Sequence, residues 1–227
     1  MPARHRYLPA PRSRALRPAV LGLLVAVLLP LAVAGPMTPA SAYPTTANQL
    51  ITVRTSSPTA TVGQLRAYDR VGGVWKLRIG PVTARVGAAG IGQASEGSTR
   101  TPAGDWRLTE AFGRQADPGT DMPYFRSTTR DWWDGNTTSP TYNEHVNQVA
   151  NPGGASENLY LAGAVYDYAA VIGYNLNGVP GAGSAFFLHV SNGRSTAGCV
   201  AVSKTTMVQL LRWLDPVKDP YIRIGVY

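Results

Sequence analysis

FFLHVSNGRSTAGCVAV (Phe186–Val202) passes from an apolar segment through a polar loop and back into an apolar one. Ala185–Val190 has the composition of a strand, and Val200–Val202 has that of a second, shorter one. Between them Ser191–Gly198 supplies the glycine, asparagine and hydroxyl residues from which loops are built. The loop ends on Cys199, the only cysteine of the chain, and His189 stands ten residues before it. A chain that folds back at such a loop brings a thiol and an imidazole together. Cysteine chemistry needs that meeting, because the thiolate is the nucleophile and a free thiol of pKa about 8.5 is mostly protonated at neutral pH.

Working outward, strand-like segments precede this stretch. They are Leu50–Arg54, Gly63–Tyr68, and Val71–Ile79, the last turning as a hairpin at Gly72-Gly73, followed by Val82–Val86 and Asp105–Thr109. Val74, Lys76 and Arg78 alternate with Trp75, Leu77 and Ile79, a period of two with one face wet. Gly87–Gly104 is rich in Gly, Ser and Thr and reads as a long functional loop. Phe112–Pro152 shows little periodicity and many aromatic and turn residues, so it reads as an ordered insertion walling a cleft. Leu159–Gly163 and Ala169–Tyr174 read as further strands. Ser203 is placed to cap a helix over Lys204–Leu214, with Met207, Leu210, Leu211 and Leu214 on one face; Tyr221–Val226 is a last strand. The expectation is one mainly β domain with one clear helix near the C-terminus.

The N-terminal end carries a different message. Residues 1–17 hold five arginines and no acid, residues 19–34 are largely apolar, and Ala40-Ser41-Ala42 offers a small-residue cleavage site. This is the pattern of a signal peptide over 1–42, which places the mature protein outside the cytoplasmic membrane, secreted or in the cell envelope. Residues 43–49 then form a flexible lead-in and 50–227 the folded domain. Of 21 Lys and Arg against 13 Asp and Glu, five lie in the signal, so the mature excess falls to about +3 and gives no reason to expect nucleic acid as a partner. An exported chain with one cysteine has no internal disulfide, so Cys199 is a buried inert thiol, a partner in an intermolecular disulfide, or a reactive thiol.

The neighbours favour the reactive reading. His189 is the histidine on the adjoining strand, whereas His145 belongs to the aromatic insertion. Gly198 lets the backbone approach a substrate, and the Gly198 and Cys199 amides can hold a developing oxyanion. Ser195 and Thr196 can orient those amides or bind substrate, and Arg194 can meet a carboxylate. One Cys and two remaining His make no spaced metal-ligand set, and no dinucleotide or phosphate-loop glycine pattern occurs, so no metal or organic cofactor is expected.

His189 followed by Ser195-Thr196-Ala197-Gly198-Cys199-Val200 resembles the active-site signature of the L,D-transpeptidase family, the YkuD-type catalytic domain. Gly90-Ile91-Gly92, then Glu96-Gly97-Ser98-Thr99-Arg100-Thr101-Pro102-Ala103-Gly104, is similar to that family's Glu-Gly-Asp-Gly-x-Thr-Pro-x-Gly segment. Asn158-Leu159-Tyr160, Tyr174-Asn175 and Gly183–His189 fit in the same order, so the likeness spans Val82 to Val202. It implies a β-sandwich-like domain acting on peptidoglycan stem peptides without a cofactor. By the same resemblance Cys199 is the nucleophile, His189 its general base, Gly198 an oxyanion amide, and Thr196 the Ser/Thr of the signature. The reaction implied is an acyl-enzyme with loss of terminal D-alanine, resolved by a second stem into a 3–3 cross-link; acylation by a carbapenem is a further implication. Ala197 stands where the signature has His, Ala201 stands in the place of its Arg, and the His-to-Cys spacing is shorter. These departures bear on substrate anchoring and on the acceptor, and Arg194 is a candidate to replace the lost arginine. An L,D-carboxypeptidase on the same scaffold and a non-catalytic wall-binding module are the competing readings.

Overall fold

In a computed structural model of the protein, residues 46–227 are described. The expected signal peptide and the first residues of the lead-in lie outside them. In chain order the elements are β1 (Gln49–Thr55), β2 (Val62–Val71), β3 (Val74–Arg85), β4 (Ile91–Gly92), β5 (Thr101–Pro102), β6 (Gly104–Gly113), β7 (Tyr124–Arg126), β8 (Asp131–Trp133), β9 (His145–Asn147) and β10 (Glu157–Asn158). A 3-10 turn at Gly163–Tyr166, β11 (Ala169–Ile172), β12 (Phe187–Val190), β13 (Val200–Val202), α1 (Lys204–Trp213) and β14 (Pro220–Gly225) complete the domain.

Nine strands form one sheet in the order β11-β12-β13-β3-β2-β1-β14-β6-β7, and β6 also pairs with β11. That extra pairing closes the sheet around a core built from Ile51, Val53, Leu65, Leu108, Leu188, Val200 and Ile222, into which α1 adds Met207, Leu210 and Leu211. The mainly β, single-helix architecture expected from the pattern is the one found. Ser203 caps α1 as its position predicts, its side chain accepting from the Thr206 amide at 3.1 Å. The β2–β3 hairpin turns on Gly72 and Gly73, at φ of 59° and 79°, left-handed values that glycine adopts without a Cβ clash.

Three expectations need correction. Val74–Ile79 and Val82–Val86 are not separate strands: β3 runs through to Arg85, and the register shift opposite Leu65 and Ala67 absorbs Gly80 and Pro81 as a bulge. Leu159–Gly163 is not a strand. The Asn158 side chain accepts from the amides of Tyr160 and Leu161 at 3.1 and 2.9 Å, curling the chain into a turn that leaves Leu161 exposed. The end of the flexible lead-in is tied down, with Ala47 buried, the Asn48 amide donating to the Lys218 carbonyl, and Thr46 Oγ1 donating to Asp219. The aromatic insertion supplies β8 and β9, which with β10 just beyond it form a three-stranded sheet, β10-β8-β9, and this sheet stands beside the cleft that holds Cys199.

Candidate active site

β12 and β13 lie parallel, with Leu188 opposite Val200 and His189 opposite Ala201, so the loop of residues 191–199 crosses between neighbouring strands. Both strands are fully buried, and the apolar residues flanking His189 and Cys199 anchor these two polar groups to the sheet. The loop is pinned at its far side. The Thr196 amide donates to the Val86 carbonyl and the Ala88 amide to the Thr196 carbonyl, at 3.0 and 2.9 Å. The Cys199 carbonyl accepts from two hydroxyls, Thr196 Oγ1 at 2.7 Å and Thr101 Oγ1 at 3.1 Å. Thr101 belongs to the Gly-rich segment, which thereby holds the cysteine loop.

A cleft of about 480 Å³ opens over this loop. Cys199, His189, Gly198, Thr196 and Ser195 line it, together with the Glu96–Thr99 loop. Arg194 is exposed and lies outside the lining. The Gly198 amide, expected to serve an oxyanion, donates to Thr196 Oγ1 at 3.1 Å. One N–H carries one proton, so in the free protein that donor is already engaged, and the Thr196 hydroxyl braces the loop with both its donor and its acceptor.

Cys199 is buried, only 8% exposed. Its sulfur accepts from the Phe187 amide and donates to the Ala185 carbonyl, both at 3.4 Å. Tyr166 shares its buried cluster and its cleft. Burial first, and the negative charge of Glu157 second, push the thiol up to about 12, so the sulfur is protonated at neutral pH. His189 is buried as well, and burial lowers its pKa while the carbonyls of Val190 and Val165 pull the other way. Its Nδ1 lies 2.9 Å from the Val190 carbonyl; a carbonyl only accepts, so Nδ1 carries the proton and the neutral ring keeps its lone pair on Nε2. The free site therefore holds a neutral thiol and a neutral imidazole on one cleft, with the thiol hydrogen-bonded to Ala185 and Phe187 and not to His189.

Several groups here escaped the sequence reading. Tyr166 packs edge-on against both Phe187 and His189 and donates to Glu157 Oε2 at 2.8 Å. Tyr166 and Glu157 both line the cleft. Glu96 accepts from the Tyr142 hydroxyl and from Ser184 Oγ, fastening the Gly-rich loop to the insertion. Asn143 Oδ1 accepts from the Trp133 indole and the Ala185 amide, holding Ala185 at a left-handed φ of 57° beside the sulfur. The order Glu157…Tyr166 has no period or spacing rule that would have announced it; Glu96 and Asn143 fell within segments already singled out, the Gly-rich loop and the aromatic insertion. His145 hydrogen-bonds Asp131 at 2.9 Å and stacks on Phe125, as an insertion residue. Among the described residues no three His, Cys, Asp or Glu side chains group as a metal site.

A search of the curated proteins and of the solved structures gave no match. The family model of the L,D-transpeptidase catalytic domain, YkuD, matches residues 49–222, nearly the whole of the described domain. Those residues include the closed sheet, the Gly-rich loop and the Cys199–His189 cleft, so the chain belongs to the YkuD family of L,D-transpeptidase catalytic domains.

Proposed function

We propose that this protein is an exported cysteine acyltransferase of the cell envelope that joins peptidoglycan stem peptides by 3–3 cross-links. The observation that carries this reading is the placement on one cleft of His189, on β12, and the sole thiol, at the end of the loop that enters the neighbouring parallel strand β13, in a YkuD-family domain. Cys199 is the nucleophile. His189, with Nδ1 fixed to Val190, presents Nε2 as the general base that removes the thiol proton and returns it to the departing amine. Attack on the carbonyl of the diamino acid forms an S–C bond and breaks the bond to terminal D-alanine. The Cys199 amide is the oxyanion donor, joined by Gly198 when substrate displaces Thr196 Oγ1. An amine of a second stem then attacks the thioester, forming the cross-link and releasing the sulfur. Ser195 and Thr196 border the acyl position and contact the stem. Arg194, exposed beyond the cleft, is a contact for the acceptor stem only.

Intact mass of the mature protein after incubation with a tetrapeptide stem, and separately with a carbapenem, tests the reading. An adduct present in the parent and absent in Cys199→Ala supports it; no adduct with either reagent overturns it. Isolated wall fragments then separate transfer from hydrolysis, since cross-linked dimers arise from the first and only shortened monomers from the second.

A further inference from the structure

Glu157 and Tyr166 have no part in the scheme above, yet they line the same cleft as its nucleophile. The buried Tyr166 hydroxyl has a single proton and gives it to Glu157 Oε2 at 2.8 Å. The thiol's own hydrogen goes to the Ala185 carbonyl, so sulfur and Tyr166 exchange no proton in the free protein, although they share one buried cluster and line one cleft with Glu157. The carboxylate faces a cleft of unusual charge. The chain as a whole carries 21 basic against 13 acidic residues, but the cleft lining holds Glu157 and Glu96 and neither Lys nor Arg. Glu96 is engaged with Tyr142 and Ser184, and the only other titratable groups around the sulfur are His189 and Tyr166. Asp167, next in sequence to Tyr166, is answered by Lys204 and Arg114 and points its charge elsewhere. No protein cation is therefore available to Glu157 from the cleft wall.

We propose that Glu157 reads a primary ammonium group on the donor peptide, and that Tyr166 couples its arrival to ionisation of Cys199. This deepens the reading above and rests on Cys199 being the nucleophile. While the cleft is empty, the carboxylate draws the Tyr166 proton away from sulfur, and its negative charge holds the thiol in the neutral form. An ammonium paired with Glu157 cancels that charge and takes over the carboxylate's hydrogen bonding. The Tyr166 proton then turns to the sulfur, where it stabilises the thiolate as the thiol proton passes to His189 Nε2; no atom is gained or lost beyond that one transfer. Tyr166 is a catalytic residue in this scheme because its hydroxyl then donates to the reacting sulfur, and Glu157 is a positioning residue that acts through it. The device keeps an exported thiol inert until a stem bearing a free amine occupies the cleft.

Two measurements decide the matter, each on the mature protein, with melting curves confirming that Glu157→Gln and Tyr166→Phe are folded. The first is the pH dependence of Cys199 alkylation by iodoacetamide. Glu157→Gln is expected to move its midpoint down by about one pH unit or more, and Tyr166→Phe to move it up, since the first removes a repelling charge and the second a donor to the thiolate. A merely structural role would not move the two in opposite directions. The second is the rate of acylation by a tetrapeptide stem with its diamino acid side-chain amine free or acetylated. The free amine should acylate the parent at least about tenfold faster, and that ratio should collapse toward one in Glu157→Gln. Midpoints unchanged in both variants, or an amine preference that survives in Glu157→Gln, would overturn the proposal. If neither peptide acylates the parent although iodoacetamide does, the transpeptidase reading fails, and the alkylation midpoints still judge the gate.

Discussion

At Gly198 a single hydrogen stands where any other residue has a Cβ. A Cβ there would lie 2.8 Å from the Phe186 ring and 3.2 Å from the Arg100 carbonyl, at a φ of 149° that side chains rarely adopt. Neither neighbour can retreat cheaply, since Phe186 is wedged against Tyr174 and Arg100 contributes backbone. Gly198→Ala is therefore expected to cost about 1–3 kcal/mol in urea unfolding and to lower acylation at least tenfold, by shifting Cys199. Asn143 is a second residue whose shape is fully used. It accepts from Trp133 and Ala185 and donates to the Tyr174 and Asn175 carbonyls at 3.0 and 2.9 Å. Asn143→Ala leaves four partners to find water, with an expected loss of about 2–3 kcal/mol. Asn143→Asp, which keeps the acceptors and loses the donors, should lie between; equal losses in the two variants would show that the acceptor half contributes nothing.

At the scale of elements, α1 shows which interactions dominate. Its N-cap bond from Ser203 is local, whereas Met207, Leu210 and Leu211 are buried against the sheet that carries His189. Ser203→Ala should cost about 1 kcal/mol and Leu210→Ala about 2–5 kcal/mol, because a cap satisfies one amide and a core leucine fills a volume. Only the Leu210 variant should also reduce activity, through β12. Comparable unfolding midpoints for the two would contradict this order. The same contrast explains what could be read in advance. α1, the Gly72-Gly73 hairpin and the β12–loop–β13 unit were legible because their determinants lie within a dozen residues of each other. Leu159–Gly163 misled because its apolar letters are overruled by the Asn158 side chain, which no strand pattern reveals. Glu157 and Tyr166 could not be found beside Cys199, since a closed sheet and an aperiodic insertion bring them there from 42 and 33 positions upstream. The thiol and imidazole were thus visible, and the groups that set their protonation were not.

For the molecule as a whole, carboxylates inside the domain set its response to acid. Burial alone would raise Asp131, Asp134 and Asp167, but hydrogen bonds outweigh it and hold all three below the ordinary aspartate value. Thr128, Asn147 and His145 serve Asp131; Ser139, Asn136, Thr141 and Ser156 serve Asp134; Lys204, Gln115 and Arg114 serve Asp167. A carboxylate whose folded pKa is depressed gives stability that is complete above its unfolded pKa of about 3.9 and is lost as pH falls through the lower folded value. Glu110 and Glu157 are raised by burial and act in the opposite sense, destabilising the fold at neutral pH and ceasing to do so as they protonate. The melting temperature is accordingly expected to hold or rise slightly from pH 8 to about 5 and to fall steeply below about 4. Asp167 gives the sharpest test, since it ties the turn next to Tyr166 to α1 through Lys204 at 2.8 Å. Asp167→Asn should melt lower than the parent at pH 7, and the gap should close as the pH approaches 3, because protonation removes from the parent the charge that the variant already lacks. A gap that stayed constant from pH 7 to 3 would mean that shape at this position, and not its charge, holds the helix to the site.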